Sequence, residues 1–183
     1  LAGALQRADA LSATAPDDGE VLMLKSEIEG AMGKRSEAAR TLDRVLTLRP
    51  SALQARYALA LNLVQSNELD RAATQVEELK KQAAADARTL HAVAVVAFAR
   101  GDTTAALDAV QKSLQAAPDY VPARYLSGLV DLKRGAYASA EQSLRTVVTK
   151  SPSDDGARIA LAQAQLLNGQ PAPAQETLDL TLR

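Results

Sequence analysis

The sequence contains no cysteine and no tryptophan, and aromatic residues make up only 3% of its 183 residues. Without cysteine the chain can form no disulfide and can carry out no thiolate chemistry. No apolar run approaches the roughly 18 residues that a membrane-spanning helix needs, so we expect no direct membrane insertion by this segment. The 21 basic and 22 acidic residues give a formal charge of −1, which does not supply the positive field of a nucleic-acid-binding protein.

What the sequence does contain is a repeat of 34 residues, whose clearest copy runs from Val121 to Asp154. A turn residue, a small residue after the turn and a proline near the end all recur when 34 is added or subtracted. The matching residues are Gly33, Asn67, Gly101, Gly135 and Gly169 at the turn, Ala4, Ala38, Ala72, Ala106, Ala140 and Ala174 after it, and Pro16, Pro50, Ala84, Pro118 and Pro152 near the end. Three columns in one phase indicate a helix–turn–helix repeat protein.

The repeat predicts an all-α fold, an α-α superhelix of about eleven antiparallel helices in one array over residues 1–183. Alanine, the best helix former, favours such a fold and lets helices approach closely. The chain begins with Leu1 instead of Met and ends before the last repeat would close, so we expect a fragment of a longer protein. The expected segments are a lone second helix within 1–18 and helix pairs at 19–52, 53–86, 87–120, 121–154 and 155–183.

Within each repeat, a tight turn should join a first helix to a second helix. The turn residue needs a positive φ, which glycine adopts freely and which asparagine, here Asn67, tolerates best among other residues. After the turn, Ala140, Leu144 and Val147 recur at helical spacing in the other repeats. We predict that these residues are buried where the two helices cross.

Proline should end the second helices, because it lacks an N–H and disfavours helix in the residue before it. The candidate N-caps that follow are Asp17, Asp119, Ser153 and Asp154. Around Ala84 the linker contains neither proline nor glycine, which predicts either a longer helix or a looser junction.

A small residue also recurs in the first helix, as Ala60, Ala94, Gly128 and Ala162. With the glycine, alanine and proline columns at a period of 34, the chain resembles the tetratricopeptide repeat (TPR) family throughout its length. The resemblance implies that the first helices line a concave, protein-binding face. The chain departs from the family where an early large aromatic residue is replaced by Arg56, Arg124 and Arg158, and where a tyrosine before the turn is replaced by Leu63, Ala97, Asp131 and Gln165.

The alanine- and leucine-rich stretches at 122–144 and 157–178 are most similar to bacterial envelope TPR lipoproteins, those associated with PEP-CTERM protein sorting and exopolysaccharide export. That resemblance implies a location in the periplasm or on the outer membrane facing the periplasm.

Three columns of first-helix residues should point into the concave face, and in the central repeats they are apolar or aromatic. This pattern predicts a groove for an amphipathic helix or an extended apolar peptide. The alternative is that neighbouring first helices bury these residues against each other. The predicted groove residues are Tyr57, Leu61, Val64, His91, Val95, Phe98, Tyr125, Leu129 and Leu132.

Other polar residues favour structural roles. His91 is the only histidine and there is no cysteine, so a metal site would need a carboxylate such as Asp131, and we expect instead a partly buried, hydrogen-bonded imidazole. The repeated arginines could bind an anion, or lay their stems over a neighbouring helix. Adjacent carboxylates such as Asp17 and Asp18 fit helix capping better than acid–base catalysis. Lys80 and Lys81 should pair with Glu77 and Glu78 on a solvated helix face.

No nucleotide-binding, zincin or hydrolase motif occurs in the sequence, so we expect no enzyme activity, no cofactor and no metal. The predicted function is a protein-interaction scaffold that binds a protein or peptide. Two alternatives are a structural spacer with end-to-end self-association within a long envelope protein, and an accessory array of an enzyme whose catalytic domain lies elsewhere.

Overall fold

In a computed structural model, which describes residues 1–181, the chain folds into α-helices joined by short turns, with no strand in the described part. The prediction of an all-α fold of eleven helices is confirmed. The helices are α1 (Ala2–Thr14), α2 (Gly19–Ala31), α3 (Arg35–Leu48), α4 (Leu53–Gln65), α5 (Leu69–Ala83), α6 (Ala87–Ala99), α7 (Thr103–Ala116), α8 (Val121–Arg134), α9 (Tyr137–Lys150), α10 (Asp155–Leu167) and α11 (Pro171–Asp179).

The helices group into two compact units, unit 1 (Leu1–Ala84) and unit 2 (Ala85–Arg183). In unit 1 each helix from α1 to α5 packs on the next one in sequence. In unit 2 the same holds from α6 to α11, and consecutive first helices also touch, α6 with α8 and α8 with α10. Within the units, α3, α7 and α9 therefore each lie between two first helices, as stacked helix pairs require.

The interhelical turns have the predicted backbone. All four turn glycines have φ between 75° and 83°, and Asn67 has φ 60°, the one positive φ among described non-glycine residues. These residues follow the last turn of each first helix, where the left-handed conformation lets the chain reverse direction. The prediction from the glycine and asparagine column is confirmed.

The predicted helix crossings are buried. Ala140, Leu144 and Val147 have no exposed surface, and their equivalents in α3, α5 and α7 are at most 5% exposed. At Gly128 on α8 a Cβ atom would lie 2.5 Å from Leu144 Cγ on α9. Gly128 is therefore needed for the close approach of these two helices, which a larger residue would force apart.

The second helices end as proline dictates. Arg49, Ala117 and Ser151, which precede Pro50, Pro118 and Pro152, leave the helical region with φ between −143° and −133°. At Ala84, where proline is missing, α5 runs to 15 residues and Ala84 itself keeps helical φ and ψ. Of the two expectations for this linker, the longer helix is observed.

The N-cap predictions are partly wrong. Asp154 caps α10 by accepting from the Ala157 N–H, but α2 is capped by Asp18 and not by Asp17. Asp17 instead pairs with Arg44 at 3.0 Å. Asp119 pairs with Lys150, and α8 begins after Tyr120 with no side-chain cap.

Candidate functional site

Apart from His91, the predicted groove residues of unit 2 are half-buried, and they lie on first helices α6 and α8. Tyr125, Leu129 and Leu132 pack against a core cluster that includes Ala160 and Ala164 of α10. Val95 and Phe98 pack in the same way against a cluster formed by α6, α7 and α8. Each of these side chains therefore contributes to the stack and still leaves part of its surface accessible.

His91 is more deeply enclosed than its neighbours, with 5% of its surface exposed. Its ring meets Tyr120 edge to face, with centroids 5.6 Å apart and an interplanar angle of 84°. The imidazole is hydrogen-bonded to the backbone of Pro122, and because proline has no N–H the imidazole N–H donates to the carbonyl. Burial lowers the pKa of His91 from 6.5 to about 4, so the ring is neutral and structural at ordinary pH.

The apolar columns of unit 2 become most open on α10. Ile159 continues the column of Tyr125 and Leu166 continues that of Leu132, and these two side chains are 53% and 59% exposed. The predicted groove omitted them, although the 34-residue repeat already placed both in its columns. The accessible face consists of the half-buried α8 residues and the exposed α10 residues, and we call it the α8–α10 face: Tyr125, Leu129, Leu132, Ile159 and Leu166.

In unit 1 the predicted groove residues Tyr57, Leu61 and Val64 lie on α4 and are also half-buried. They occupy the positions that Tyr125, Leu129 and Leu132 hold in α8, two repeats later. That a partner contacts these three residues stays a prediction.

Comparison with known proteins identifies the repeat. One family model described as a tetratricopeptide repeat matches residues 27–88 and 57–121, which together span more than half of the chain, and another matches residues 131–183. The chain belongs to the tetratricopeptide repeat family. The resemblance to the PEP-CTERM-associated lipoproteins is not decided by these matches, and no curated protein sequence matches the chain significantly.

Solved structures share the TPR fold. TTC0263, a thermophilic TPR protein in Thermus thermophilus, is 20% identical with a TM-score of 0.81, covering 90% of each chain. YrrB, described as a TPR protein with an unusual peptide-binding site, is 16% identical with a TM-score of 0.58, covering 96% of this chain and 90% of its own. The human IFIT1 dimer with m7Gppp-AAAA is 17% identical with a TM-score of 0.85, covering 97% of this chain and 44% of its own.

The arginines that replace the early aromatic residue of the TPR pattern bind within the chain. Arg56 donates to the Pro50 carbonyl at 2.7 Å and to Gln75 at 3.0 Å. Arg124 donates to the Pro118 carbonyl at 2.6 Å, with the same spacing of six residues. Two of the repeated arginines thus hold the loop before their own helix, which supports the structural interpretation over an anion site.

Polar residues that replace the TPR tyrosine before the turn join the two helices of a repeat. Thr41 donates to Glu29 at 2.8 Å, and Thr177, twelve residues after Gln165, donates to it at 2.8 Å. Asp131 occupies the same position in α8, and burial raises the pKa of its carboxyl group. At Glu29 and Gln165 this column therefore contributes hydrogen bonds between the two helices, where the family usually packs an aromatic ring.

The remaining charged candidates also have structural partners. Lys80 and Lys81 pair with Glu77 and Glu78 at 3.0 and 2.6 Å, as predicted for a solvated face. Within residues 1–181, no group of three or more His, Cys, Asp or Glu side chains is arranged to hold a metal ion. None of the described helices has the length and apolar character to cross a membrane.

Proposed function

We propose that this TPR chain is a non-enzymatic scaffold whose α8–α10 face binds an amphipathic helix of a partner protein. The observation that carries the proposal is the exposure of Ile159 and Leu166, each more than half accessible, beside half-buried Tyr125 and Leu132. Contiguous apolar surface on a folded protein commonly marks an interaction site. His91 is enclosed, so the proposal places no partner contact on it.

The spacing on the α8–α10 face suits a helix. Tyr125 and Leu132 are seven residues apart on α8, as are Ile159 and Leu166 on α10, so each pair spans about 10.5 Å along its helix. A partner helix with apolar residues at i, i+3, i+4 and i+7 presents an apolar stripe of the same length. Lys133, exposed at the end of α8 and without an ion pair within residues 1–181, favours acidic residues beside that stripe.

The experiment is binding of a fluorescein-labelled helical peptide with leucine at i, i+3, i+4 and i+7 and glutamate on its other faces, followed by anisotropy. Replacing Ile159 and Leu166 together by serine should weaken binding about tenfold, because two accessible anchors are lost. Tyr125→Ala should also weaken binding, with smaller changes in helical content and melting temperature than a fully buried residue would cause.

Leu48→Ser is the matched control, since Leu48 is an exposed leucine on α3 of unit 1 and should leave the affinity unchanged. Equal affinity of the wild type and the Ile159/Leu166 double variant would exclude the α8–α10 face. Loss of the folded state in Tyr125→Ala would assign that residue to the core.

The proposal extends to the biological system. The alanine- and leucine-rich, aromatic-poor stretches at 122–144 and 157–178 support a partner in bacterial PEP-CTERM sorting or exopolysaccharide export. Under this proposal the scaffold works in the periplasm or on the outer membrane facing it. Affinity purification from cells with the wild-type chain and with the Ile159/Leu166 double variant tests the assignment, because components of such a system should be recovered with the first alone.

A second candidate function is self-association, and Leu178 on α11 favours it. Leu178 holds the position of Leu144 and Val110, which have no exposed surface, yet 41% of Leu178 is exposed. A second copy that covers Leu178 would bury a residue of core type. Sedimentation equilibrium should then show a concentration-dependent dimer that Leu178→Ser abolishes, and a monomer at every concentration would exclude this candidate.

A further inference from the structure

A cavity of about 540 Å³ lies in unit 1 between first helices α2 and α4. Its volume falls in the range of protein ligand sites. Apolar and charged side chains share its walls. The lining side chains that matter here are Glu20, Met23, Leu24 and Glu27 of α2, Leu53 of α4, and Arg49 of the linker before α4.

Gly19, the first residue of α2, and Arg49 both line the cavity. A Cβ atom at Gly19 would lie 3.0 Å from Arg49 Cζ, so the guanidinium group occupies the space that a side chain at this position would take. The equivalent positions in the next repeats are Leu53, Ala87 and Val121, which have side chains. The guanidinium group therefore marks the end of the cavity nearest the N-terminus of α2.

The charged side chains on the cavity wall have no partner in the part of the chain that the structure describes. Among residues 1–181, the side chains of Glu20, Glu27 and Arg49 take part in no ion pair and no hydrogen bond. Glu20 and Glu27 are exposed on the same side of α2, with Met23 and Leu24 between them. Two carboxylates that no intramolecular partner neutralises are available to a cationic ligand.

These charges are not required by the repeat. In the later repeats the position of Glu27 is held by Leu61, Val95, Leu129 and Gln163, and that of Arg49 by Ala83, Ala117 and Ser151. Stacking of helix pairs therefore proceeds without a charge at either position. Their presence in unit 1 calls for a role other than packing.

We propose that this cavity binds a second, chemically different partner: a basic amphipathic helix with lysine or arginine at i and i+7 and apolar residues at i+3 and i+4. Glu20, Met23, Leu24 and Glu27 have the same i, i+3, i+4, i+7 spacing, and two α-helices share one rise per residue. Both cations of the partner can therefore reach a carboxylate while its apolar residues contact Met23, Leu24 and Leu53. Arg49 faces the end of the partner helix that exposes carbonyl oxygens, which sets the partner antiparallel to α2.

The probe is a fluorescein-labelled, alanine-rich helical peptide that contains Lys-Ala-Ala-Leu-Leu-Ala-Ala-Lys, compared by anisotropy with the same peptide carrying glutamate in place of both lysines. The lysine peptide should bind at least tenfold more tightly, and raising the salt concentration should weaken its binding. Equal affinity of the two peptides would overturn the proposal.

Substitutions in the cavity wall test whether the lysine peptide binds there. Glu20→Gln with Glu27→Gln should weaken the lysine peptide about tenfold, and Glu20→Lys with Glu27→Lys should reverse the preference toward the glutamate peptide. Glu37→Gln is the matched control, an exposed glutamate on α3 without an ion pair in the described chain, and should have no effect. An unchanged affinity in both double variants would contradict the proposal.

Binding in the cavity and binding at the α8–α10 face should be independent of each other. Serine at Ile159 and Leu166 should leave binding of the lysine peptide unchanged, and glutamine at Glu20 and Glu27 should leave binding at the α8–α10 face unchanged. Loss of lysine-peptide binding in the Ile159/Leu166 double variant would place the basic helix in unit 2 and overturn the assignment to the cavity.

Discussion

The two units stack the same helix pairs, but their first helices meet differently. In unit 2, α8 and α10 touch, and Tyr125 and Leu129 fill the space between them by packing on a cluster that includes Ala160. In unit 1, α2 and α4 are separated by a cavity, and the positions of Tyr125 and Leu129 are held by Met23 and Glu27. One repeat architecture thus gives a direct apolar contact between first helices or a charged cavity between them, according to a few first-helix side chains.

Both units bury some polar side chains, but a contrast holds at one set of equivalent core positions. In unit 2, Ala94, Ala109 and Val130 belong to one buried apolar cluster. Their equivalents 68 residues earlier in unit 1 are Ser26, Thr41 and Asn62, which are all polar. Asn62 is buried, and its Oδ1 has no hydrogen-bond partner in the structure.

The comparison shows that polar substitution in one repeat need not disturb the next. In a stack of repeats each unit contacts only its neighbours, so stability is approximately a sum of local terms. A locally weaker core, such as that around Asn62, is tolerated because other helix pairs remain well packed. Unit 1 can therefore carry charged surface and buried polar groups that a single central core would not accommodate.

The largest expected effect comes from giving unit 2 the polar residue of unit 1. Val130→Asn should destabilise the protein by about 4 kcal/mol, because a fully buried valine is lost and an amide is left in apolar surroundings. Urea unfolding followed by circular dichroism measures the change. The control is Thr149→Asn on the exposed face of α9, expected within about 0.5 kcal/mol of the wild type. Similar small losses in both variants would mean that α8 accepts polar groups as readily as α4.

The second-largest expected effect is a loss of stability at acid pH that comes from His91 in unit 2. The pKa of His91 is lowered from 6.5 to about 4 in the folded state, so between these values the unfolded chain takes up a proton that the folded chain does not. The stabilisation is therefore complete above pH 6.5 and is lost as pH falls toward 4, by about 3 kcal/mol. Unit 1 has Met23 at the equivalent position and lacks this dependence.

The pH dependence of the unfolding free energy measures this loss, and His91→Gln should flatten the curve between pH 6.5 and 4. The raised pKa of Asp131 acts in the opposite direction, because its folded state favours the proton and loses stability as pH rises. His91 is the only histidine, so its NMR titration can be assigned directly. A midpoint near the ordinary value of 6.5 would contradict the enclosed ring.

The sequence alone was enough to predict the interhelical turns and the packed side of the second helices. Asn67 in the glycine column predicted a left-handed turn, and the Ala140 and Leu144 columns predicted the helix crossings, because a 34-residue period relates equivalent positions directly. Depth of burial could not be predicted in this way. His91 and Ile159 share one column, yet the first is enclosed and the second is open, because exposure depends on which neighbouring helices cover the column.

The cavity between α2 and α4 could not be predicted from the sequence, for a related reason. The gap between α2 and α4 depends on how closely these two helices approach and on the path of Arg49, and neither is set by a recurring column. Likewise, the choice of Asp18 over Asp17 as the cap of α2 depends on a difference of one residue in the helix start. The 34-residue period predicts the features that the repeats share, and it does not predict such local departures.

The smallest expected effect is a gain in stability from giving unit 1 the apolar residue of unit 2. Asn62→Val removes a buried oxygen without a partner and places there the residue found at the equivalent positions, Val96 and Val130. Valine has lower helix propensity than alanine but is similar to asparagine, so the change should stabilise unit 1 by about 1 kcal/mol. Urea unfolding followed by circular dichroism measures the gain, and Gln65→Val at an exposed position of α4 is the control. If Asn62→Val lowers stability, a bound water or an amide hydrogen bond must satisfy Asn62. The polar residue would then stabilise the core of unit 1, as Val130 stabilises the core around α8.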